Sequence, residues 1–259
     1  MSGRPPAEIW DQGADEGERR LSRSATGLIA TGVVGGVDIM LGILALVVAE
    51  GGLLLVMPEG TAHLLASTVF GIGLVFLVIG RSELFTENFL LPVSAVIQGR
   101  KGTGDLWRLW LGTLIGNLAG LILLALALTR AGLVPPEALD AGGSVAETFA
   151  ERGVGAAFLS AVIAGTVLTL MTWLLHAVDS GGGRIAIAML VGFLLAAPSL
   201  NHAVVSVGEM SFGILAGTGK ADWDDLGQNF PVAVIGNLVG GLAFVTLARL
   251  VQVRGEPEG

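Results

Sequence analysis

The sequence has no cysteine, and only 14% of its 259 residues are charged. Without cysteine, disulfide bonds and thiolate metal sites are excluded. Its three histidines are widely separated and have no clustered carboxylates beside them, so we expect no metal site, and we predict no cofactor. The net charge of −8 also argues against nucleic acid as a partner, because nucleic-acid binding requires a basic surface.

Apolar residues are abundant instead. They make up 53% of the chain, far above the content of a soluble domain of this length. The 40 glycines suit close packing of helices in lipid. We therefore predict an all-α integral membrane protein with the lipid bilayer as a partner. Residues 1–24 are polar and acidic and contain no short apolar core before a cleavage site, so they are not interpreted as a signal peptide.

Apolar stretches long enough to cross a bilayer predict six transmembrane helices. Four of them are continuous, whereas polar residues interrupt the second at 82–88 and the fifth at 198–202. The predicted spans are 25–49, 61–98, 106–129, 154–178, 184–216 and 229–251, the last with Asn229 as its N-cap.

The spans divide the chain into a membrane domain with polar ends. The N-terminal end has Ile9, Trp10 and Leu21 as apolar anchors, which allow a short interfacial helix. We predict a polar cytoplasmic segment at 1–24, a transmembrane domain at 25–251 and a cytoplasmic tail at 252–259. The transmembrane domain contains two repeats, at 25–130 and 154–251, which a polar connection at 130–153 joins.

The two halves of the domain present their features in the same order. The middle span of each is interrupted, and the third carries a similar pattern, Gly116-Asn-Leu-Ala-Gly120 or Gly236-Asn-Leu-Val-Gly-Gly241. Because each half has an odd number of spans, the halves run in opposite directions, which predicts an inverted 3+3 repeat. We expect the glycines to allow close helix approach, and Asn117 and Asn237 to bond to backbone at the breaks.

The basic residues predict the orientation in the membrane. With six spans both termini lie on one side, and ten of the 14 Lys and Arg residues lie on that side. Three lie on the other side, and Arg81 belongs to the first break. The positive-inside rule therefore places both termini in the cytoplasm.

The two breaks are the strongest functional signal. They read Arg81-Ser-Glu-Leu-Phe-Thr-Glu-Asn-Phe-Leu90 and Ala197-Pro-Ser-Leu-Asn-His202. Irregular backbone at membrane depth is tolerated only where it is buried in protein or lines a cavity, because lipid cannot satisfy freed N–H and C=O groups. Paired breaks in two halves indicate a transport site near the bilayer midplane.

Thr86 and His202 are the polar side chains that we expect at this site. A threonine hydroxyl donates to an anion, and histidine presents a proton near neutral pH. Helix N-termini beside the breaks add positive dipole ends. A small anion or its conjugate acid is the predicted ligand. The alternative is that His202 only satisfies freed backbone carbonyls.

Other residues near the breaks are candidates for narrowing or shaping a pore. Ion pairing is expected among the charges, with Arg81 pairing with Glu83 or Glu87, or with Asp38. For the apolar residues the alternative is ordinary helix packing. The constriction candidates are Leu84, Phe85, Phe70, Leu74 and Leu195, and the loop-shaping or selectivity candidates are Glu83, Glu87, Arg81 and Asn201.

Two of these motifs resemble those of the formate/nitrite transporter family. Glu83-Leu-Phe-Thr-Glu-Asn88 is similar to the signature after the family's broken second helix, and Leu200-Asn-His202 to its second signature. The resemblance covers residues 25–251. It implies an aquaporin-like six-helix protomer in a homopentamer of the bacterial inner membrane, with one pore per protomer for formate, nitrite or hydrosulfide. It also implies that Thr86 and His202 are the central polar pair.

Three departures place the chain in a divergent branch. Glu87 stands where the family has a small residue, Ser206-Val207 replaces an Asn-Met pair, and Met171-Thr-Trp173 replaces Cys-Asn-Trp. We predict proton-linked transport of a weak-acid anion rather than an enzyme, since no nucleophile–base motif or phosphate loop stands out. The alternatives are a pore for a small neutral solute and a membrane scaffold without transport.

Overall fold

The chain is built from helices in the computed structural model, which describes residues 4–130 and 132–255. A 3₁₀ turn at Phe85–Phe89 and a π-helical segment at Gly240–Leu247 interrupt the α-helical pattern. The α-helices are α1 (Pro6–Leu21), α2 (Ala25–Leu54), α3 (Glu59–Gly80), α4 (Leu91–Ile97), α5 (Thr103–Arg130), α6 (Pro136–Ala150), α7 (Val154–Ala177), α8 (Gly181–Ala196), α9 (Val205–Ala216), α10 (Trp223–Val239) and α11 (Ala248–Arg254).

Five of these helical runs are long and apolar enough to cross a membrane. They are α2, α3, α5, α7 and the continuous run Trp223–Arg254. Shorter apolar helices occur at Phe85–Ile97, Gly181–Ala196 and Val205–Ala216. The predicted all-helical fold with long apolar helices is therefore confirmed. Two of the short helices flank the second predicted break, and the third starts within the first break, which follows the long helix α3.

The two breaks have the same backbone feature. Arg81 follows α3 with φ 60°, and Ser199 follows α8 with φ 48°. These are the positive-φ residues other than glycine within the described ranges 4–130 and 132–255. Such a conformation costs on the order of 1–3 kcal/mol and persists only where the surroundings fix it. Each strained residue lies shortly before a residue of the candidate site.

Glycines hold α5 against α2 and the run Trp223–Arg254 against α7. A Cβ atom on Gly120 of α5 would overlap the backbone carbonyl of Val33 on α2. In the same way, a Cβ atom on Gly240 would overlap the carbonyl of Val162 on α7. Only glycine permits this approach, so the backbones touch at both crossings.

Docked helices occur in the predicted polar connection and in the N-terminal segment, where the sequence allows a short interfacial helix. The connection at 130–153 contains α6, which buries Ala138, Ala141, Val145 and Phe149 on one face and packs against α9. The N-terminal segment contains α1, which packs on α4. In both helices the apolar residues recur at helical spacing and form one buried face, while acidic residues lie on the opposite face. The average hydrophobicity of each segment is therefore low, which makes the apolar face hard to recognise in the sequence.

The start of the last span also differs from the prediction. Asp222, not Asn229, caps α10: its carboxylate accepts hydrogen bonds from the backbone N–H groups of Asp224 and Asp225. Asn229 lies inside the helix, buried against the second break. The local Asn-x-Pro pattern was misleading because Pro231 lies within the helix and does not mark its first turn.

Candidate functional site

The side chains of Thr86 and His202 meet at the centre of the molecule. Thr86 Oγ1 lies 2.7 Å from His202 Nε2, and both residues are completely buried. Thr86 comes from the 3₁₀ turn in the first break, and His202 comes from the second break. The structure therefore brings together the two polar residues that the sequence singles out.

The partners of His202 define which ring nitrogen carries the proton. His202 Nδ1 accepts hydrogen bonds from the backbone N–H groups of Val204 at 3.3 Å and Val205 at 3.2 Å. Because backbone N–H groups only donate, Nδ1 is an acceptor, and the proton of the neutral imidazole is on Nε2. Nε2 therefore donates to the Thr86 oxygen. The Thr86 hydroxyl proton has no acceptor within the described part of the chain and is free for a ligand.

Asn117 on α5 fixes the backbone around Thr86. Its Oδ1 accepts from the N–H of Phe85 at 2.9 Å, and its Nδ2 donates to the carbonyl of Glu83 at 2.8 Å. The carboxylate of Glu87 accepts from the N–H of Leu84 at 3.2 Å. Glu87 thus shapes the first break, one of the two roles expected for it.

Asn237 does the same for the second break. Its Oδ1 accepts from the N–H of Ala203 at 2.8 Å, and its Nδ2 donates to the carbonyl of Asn201 at 3.1 Å. The Asn201 side chain forms reciprocal amide bonds with Asn229 at 2.8 and 3.0 Å. The residues on either side of His202, Asn201 and Ala203, are therefore fixed by hydrogen bonds to buried side-chain amides.

The predicted constriction residues are apolar and buried. All five predicted constriction residues are buried within one hydrophobic cluster and contribute to the lining of neither of the two cavities described next. The ring of Phe85 also packs edge-on against Phe89, with centroids 4.9 Å apart. The five residues are Phe70, Leu74, Leu84, Phe85 and Leu195.

One cavity, of about 220 Å³, lies between α1 and the first break. We call it the α1 cavity. Most of its lining is charged, and five of the charged residues are arginines. The charged or titratable residues of its lining are Glu16, Arg19, Arg20, Arg23, Arg81, Glu83, Glu87, His176 and Arg184.

The predicted ion pair of Arg81 with Glu83 or Glu87 is wrong. Glu83 pairs instead with Arg20 at 3.1 Å and Arg23 at 2.5 Å, both from the N-terminal segment. In the described residues no carboxylate lies within 4 Å of the Arg81 guanidinium. The left-handed turn at Arg81 separates its side chain from the carboxylates that follow it in sequence.

Asp38 also has a different partner from the expected one. Its carboxylate accepts a hydrogen bond from the Ser82 hydroxyl at 2.5 Å, not from Arg81. Arg20 further donates to the Asn88 side chain at 3.0 Å. No local pattern predicts these contacts, because at least 60 residues separate the arginines from their partners in the break.

A second cavity, of about 340 Å³, lies beside the second break. We call it the His63 cavity. His63 Nδ1 lies 3.2 Å from the Glu50 carboxylate, and its Nε2 lies 3.1 Å from the carbonyl of Ala196. Arg152 donates to the carbonyl of Ser199 at 2.8 Å. Sequence reasoning missed this cluster; the short connection between α2 and α3, which brings Glu50 and His63 together, was the available signal.

The partners of His63 favour a different protonation state from that of His202. The nearer partner of each His63 nitrogen is an acceptor: the Glu50 carboxylate for Nδ1 and the Ala196 carbonyl for Nε2, with the Ser199 hydroxyl at 3.5 Å from Nε2. A ring whose two nitrogens both donate is an imidazolium. The surroundings of His63 therefore favour the charged form, whereas those of His202 favour the neutral form.

Comparisons with known proteins agree with this arrangement. The sequence profile described as formate/nitrite transporter matches residues 7–251. The "Inner membrane protein YfdC" of Escherichia coli is 27% identical over 93% of this chain and 76% of that protein. The "Formate channel BtFdhC" of Bacillus thuringiensis is 25% identical over 96% of this chain and 95% of that protein.

Solved structures share the fold. An "FNT family ion channel" superposes with a TM-score of 0.84 at 20% identity, covering 94% of this chain and 98% of that one. A "Pentameric formate channel with formate bound" gives a TM-score of 0.73 at 18% identity, covering 88% and 97%. Because the family profile spans nearly the whole chain, this integral membrane protein belongs to the formate/nitrite transporter family.

Proposed function

We propose that the protein carries a small monovalent weak-acid anion, such as formate or nitrite, through a pore centred on Thr86 and His202. The observation that carries the proposal is the 2.7 Å contact between the two side chains, which joins the two breaks. The hydroxyl proton of Thr86 is available to an anion, and His202 keeps it available by occupying the oxygen as a donor. Membership of the family and the formate channels among the similar proteins support the substrate class.

The proposed path connects the two cavities. Arginines outnumber carboxylates in the α1 cavity, so its field attracts anions. The five apolar candidates, Phe70, Leu74, Leu84, Phe85 and Leu195, form the constrictions around the polar pair. A bare charge is expensive in such a zone, whereas the neutral acid crosses more easily.

Proton linkage at His202 follows from this path. Becoming an imidazolium would break the two N–H bonds that Nδ1 accepts. We therefore propose that His202 stays neutral and acts through Thr86. The pair holds the anion at the constriction until it takes up a proton from solvent on the entry side. The substrate then crosses as the neutral acid and releases that proton to solvent on the exit side. Transport then increases as the pH falls toward the pKa of the substrate.

The architecture proposed for this function is an inverted 3+3 repeat of six spans, with broken second and fifth helices as in aquaporins. The matching roles of Asn117 and Asn237 support it, as do the matching contacts of Gly120 and Gly240. We propose a homopentamer in the bacterial inner membrane with cytoplasmic termini. The pentameric structural neighbour supports the assembly, and the distribution of basic residues supports the orientation.

A pore for a small neutral solute is the second candidate. The buried carboxylate of Glu87 favours it, because an acidic group one residue from Thr86 opposes the entry of anions. Flux of such a solute is independent of pH and membrane potential. The response of the flux to pH and membrane potential therefore distinguishes a neutral-solute pore from an anion transporter.

Uptake of formate, nitrite and hydrosulfide into proteoliposomes, measured at two pH values, tests the proposal. We expect saturable uptake that is faster at the lower pH and is lost in His202→Ala. Thr86→Val, which keeps the shape but removes the hydroxyl, should slow uptake roughly 10- to 100-fold, the range for a hydrogen bond to a charged group. Thr86→Ser is the matched control and should retain uptake.

Unchanged rate and pH dependence in His202→Ala would contradict the role of the histidine. Wild-type vesicles that take up none of the anions, with oligomeric folded protein present, would contradict anion transport. In that case the next experiments are anion uptake by Glu87→Gly and the flux of small neutral solutes through the wild type. Vesicles that are impermeable to every solute tested would indicate a scaffold without transport.

A further inference from the structure

Two guanidiniums in the α1 cavity have no counter-charge. Neither Arg81 nor Arg184 lies within 4 Å of a carboxylate in residues 4–130 and 132–255, and Nε of Arg184 is buried without a hydrogen-bond partner there. Both side chains line the cavity. A buried donor facing a cavity without an acceptor is costly, and a ligand in the cavity would relieve that cost.

The helices that carry the two arginines bring them together. Gly71 of α3 lies against Gly192 and Met189 of α8, where a Cβ atom on Gly71 would be 2.7 Å from Met189 Cα. From this crossing, α3 runs forward to its end at Arg81, and α8 runs back to its first turn at Arg184. The two guanidiniums therefore reach the same end of one helix pair.

The other charges of the cavity balance one another. Arg19 and Arg20 pair with Glu16, and Arg20 and Arg23 pair with Glu83. The remaining carboxylate, Glu87, lies close enough to Arg20 to raise the pKa of that guanidinium, although burial of Arg20 lowers it. Three arginines thus offset three carboxylates, and Arg81 and Arg184 supply the excess positive charge.

The backbone at Arg81 is left-handed, and this residue is exposed where it lines the cavity. Its φ of 60° favours glycine, and a long charged residue there is strained. The N-terminus of α8 adds the positive end of a helix dipole near Arg184. The volume of the α1 cavity is about 220 Å³, whereas one water molecule requires roughly 10–15 Å³. The cavity is therefore large enough for a tetrahedral anion and several water molecules.

We propose that Arg81 and Arg184 bind a soluble divalent oxyanion of the sulfate and phosphate class at the mouth of the α1 cavity. Two guanidiniums that line one cavity match two negative charges, and each presents parallel N–H donors to two oxygens. A divalent anion does not become neutral by taking up a single proton, so it stays at the mouth. If the proposed transport function holds, the bound anion inhibits transport of the monovalent substrate.

Binding is tested by isothermal titration of the detergent-solubilised, full-length oligomer with sodium sulfate, with sodium chloride at equal ionic strength as reference. We expect saturable sulfate binding that weakens roughly tenfold or more in Arg81→Gly and in Arg184→Gln. Glycine suits the left-handed backbone at position 81, so that variant loses the charge without strain. Arg100→Ala, which removes an arginine paired with Asp15 outside the cavity, is the matched control and should bind like wild type.

Equal sulfate affinity in all four proteins, or a wild-type response no larger than that to chloride, would overturn the site. Binding of phosphatidic acid in mixed micelles without binding of sulfate would overturn the soluble ligand and indicate a lipid headgroup. In proteoliposomes, sulfate should reduce formate uptake by wild type and have at least several-fold less effect on Arg81→Gly. Sulfate binding without any anion uptake leaves the site standing and contradicts the proposed transport function alone.

Discussion

Asn117 and Asn237 hold the two breaks with matching hydrogen bonds. Each side chain accepts one backbone N–H from its break and donates to the carbonyl two residues earlier, at Glu83 and Asn201. Asn117 also donates to the carbonyl of Gly32 on α2, and Asn237 to that of Ala161 on α7. A single amide therefore satisfies backbone groups that the interrupted helix leaves unpaired, in a region where lipid offers no partner.

Replacing either amide should destabilise the fold. Asn117→Ala and Asn237→Ala leave buried backbone groups unpaired, at a cost of about 1–3 kcal/mol for each group. We expect a clear fall in the melting temperature of the solubilised oligomer, followed by fluorescence-detected size exclusion. Thr113→Ala is the control, because the Thr113 hydroxyl bonds only within its own helix, to Leu109. Equal melting of Asn117→Ala and Thr113→Ala would refute the bridging role.

Glycines of α2 allow a second test in one helix. A Cβ atom on Gly36 would lie 2.9 Å from Leu121 N and would overlap the carbonyl of Asn117, whereas nothing lies within 4 Å of one on Gly52. Gly36→Ala should therefore push α5 away and destabilise by about 1–3 kcal/mol. Gly52→Ala should stabilise by roughly 0.5–1 kcal/mol, because alanine favours the helix. Similar melting temperatures for the two variants would show that α2 and α5 are not in close contact.

The sequence predicts the membrane-embedded part of this fold well. Apolar runs of sufficient length locate the long helices, and clusters of polar residues within them locate the breaks. The repeated Gly-Asn pattern predicts that Asn117 and Asn237 bond to the breaks, and both do. Each of these signals is local in sequence, which is why it can be read without the structure.

The contacts that escape the sequence join distant segments. The sequence predicts that Glu83 pairs with its neighbour Arg81, but its partners are Arg20 on α1 and Arg23 in the turn after α1. Nothing in residues 1–24 indicates which surface α1 covers. Glu50 and His63 are close in sequence, but the contact that joins His63 to the second break, at the Ala196 carbonyl, is with a distant segment.

The carboxylate of Glu83 should anchor α1 to the membrane domain. It is buried and pairs with Arg20 and Arg23, so Glu83→Gln leaves Arg23 without a counter-charge and leaves Arg20 with Glu16 alone. Removing one partner of a buried ion pair lowers the free energy of unfolding by about 3–5 kcal/mol. We expect amide hydrogen exchange along α1 to accelerate at least about tenfold. Glu8→Gln, which removes only the exposed pair of Glu8 with Arg4 at 3.5 Å, is the control. Equal exchange in the two variants would contradict the anchor.

Glu16 should make the docking of α1 depend on pH. Burial raises the pKa of its carboxyl, but hydrogen bonds and charges from Arg19 and Arg20 outweigh that effect, and the pKa lies below its ordinary value of 4.5. A carboxyl with a lower pKa in the folded state binds fewer protons there than in the unfolded chain, so stability rises with pH across that range. This stabilisation is complete above the ordinary value and is lost as the pH falls through the lowered one.

A spin label on α1 measures the loss. Because the chain has no cysteine, Gln12→Cys gives a single labelling position on this helix. We expect the label to be immobile near pH about 6 and to gain mobility as the pH falls well below about 4, where the carboxylate takes up its proton. In Glu16→Gln the change over this range should be smaller, because that side chain has no charge to lose. Identical titrations of the two proteins would mean that the ion pairs of Glu16 do not hold α1 in place.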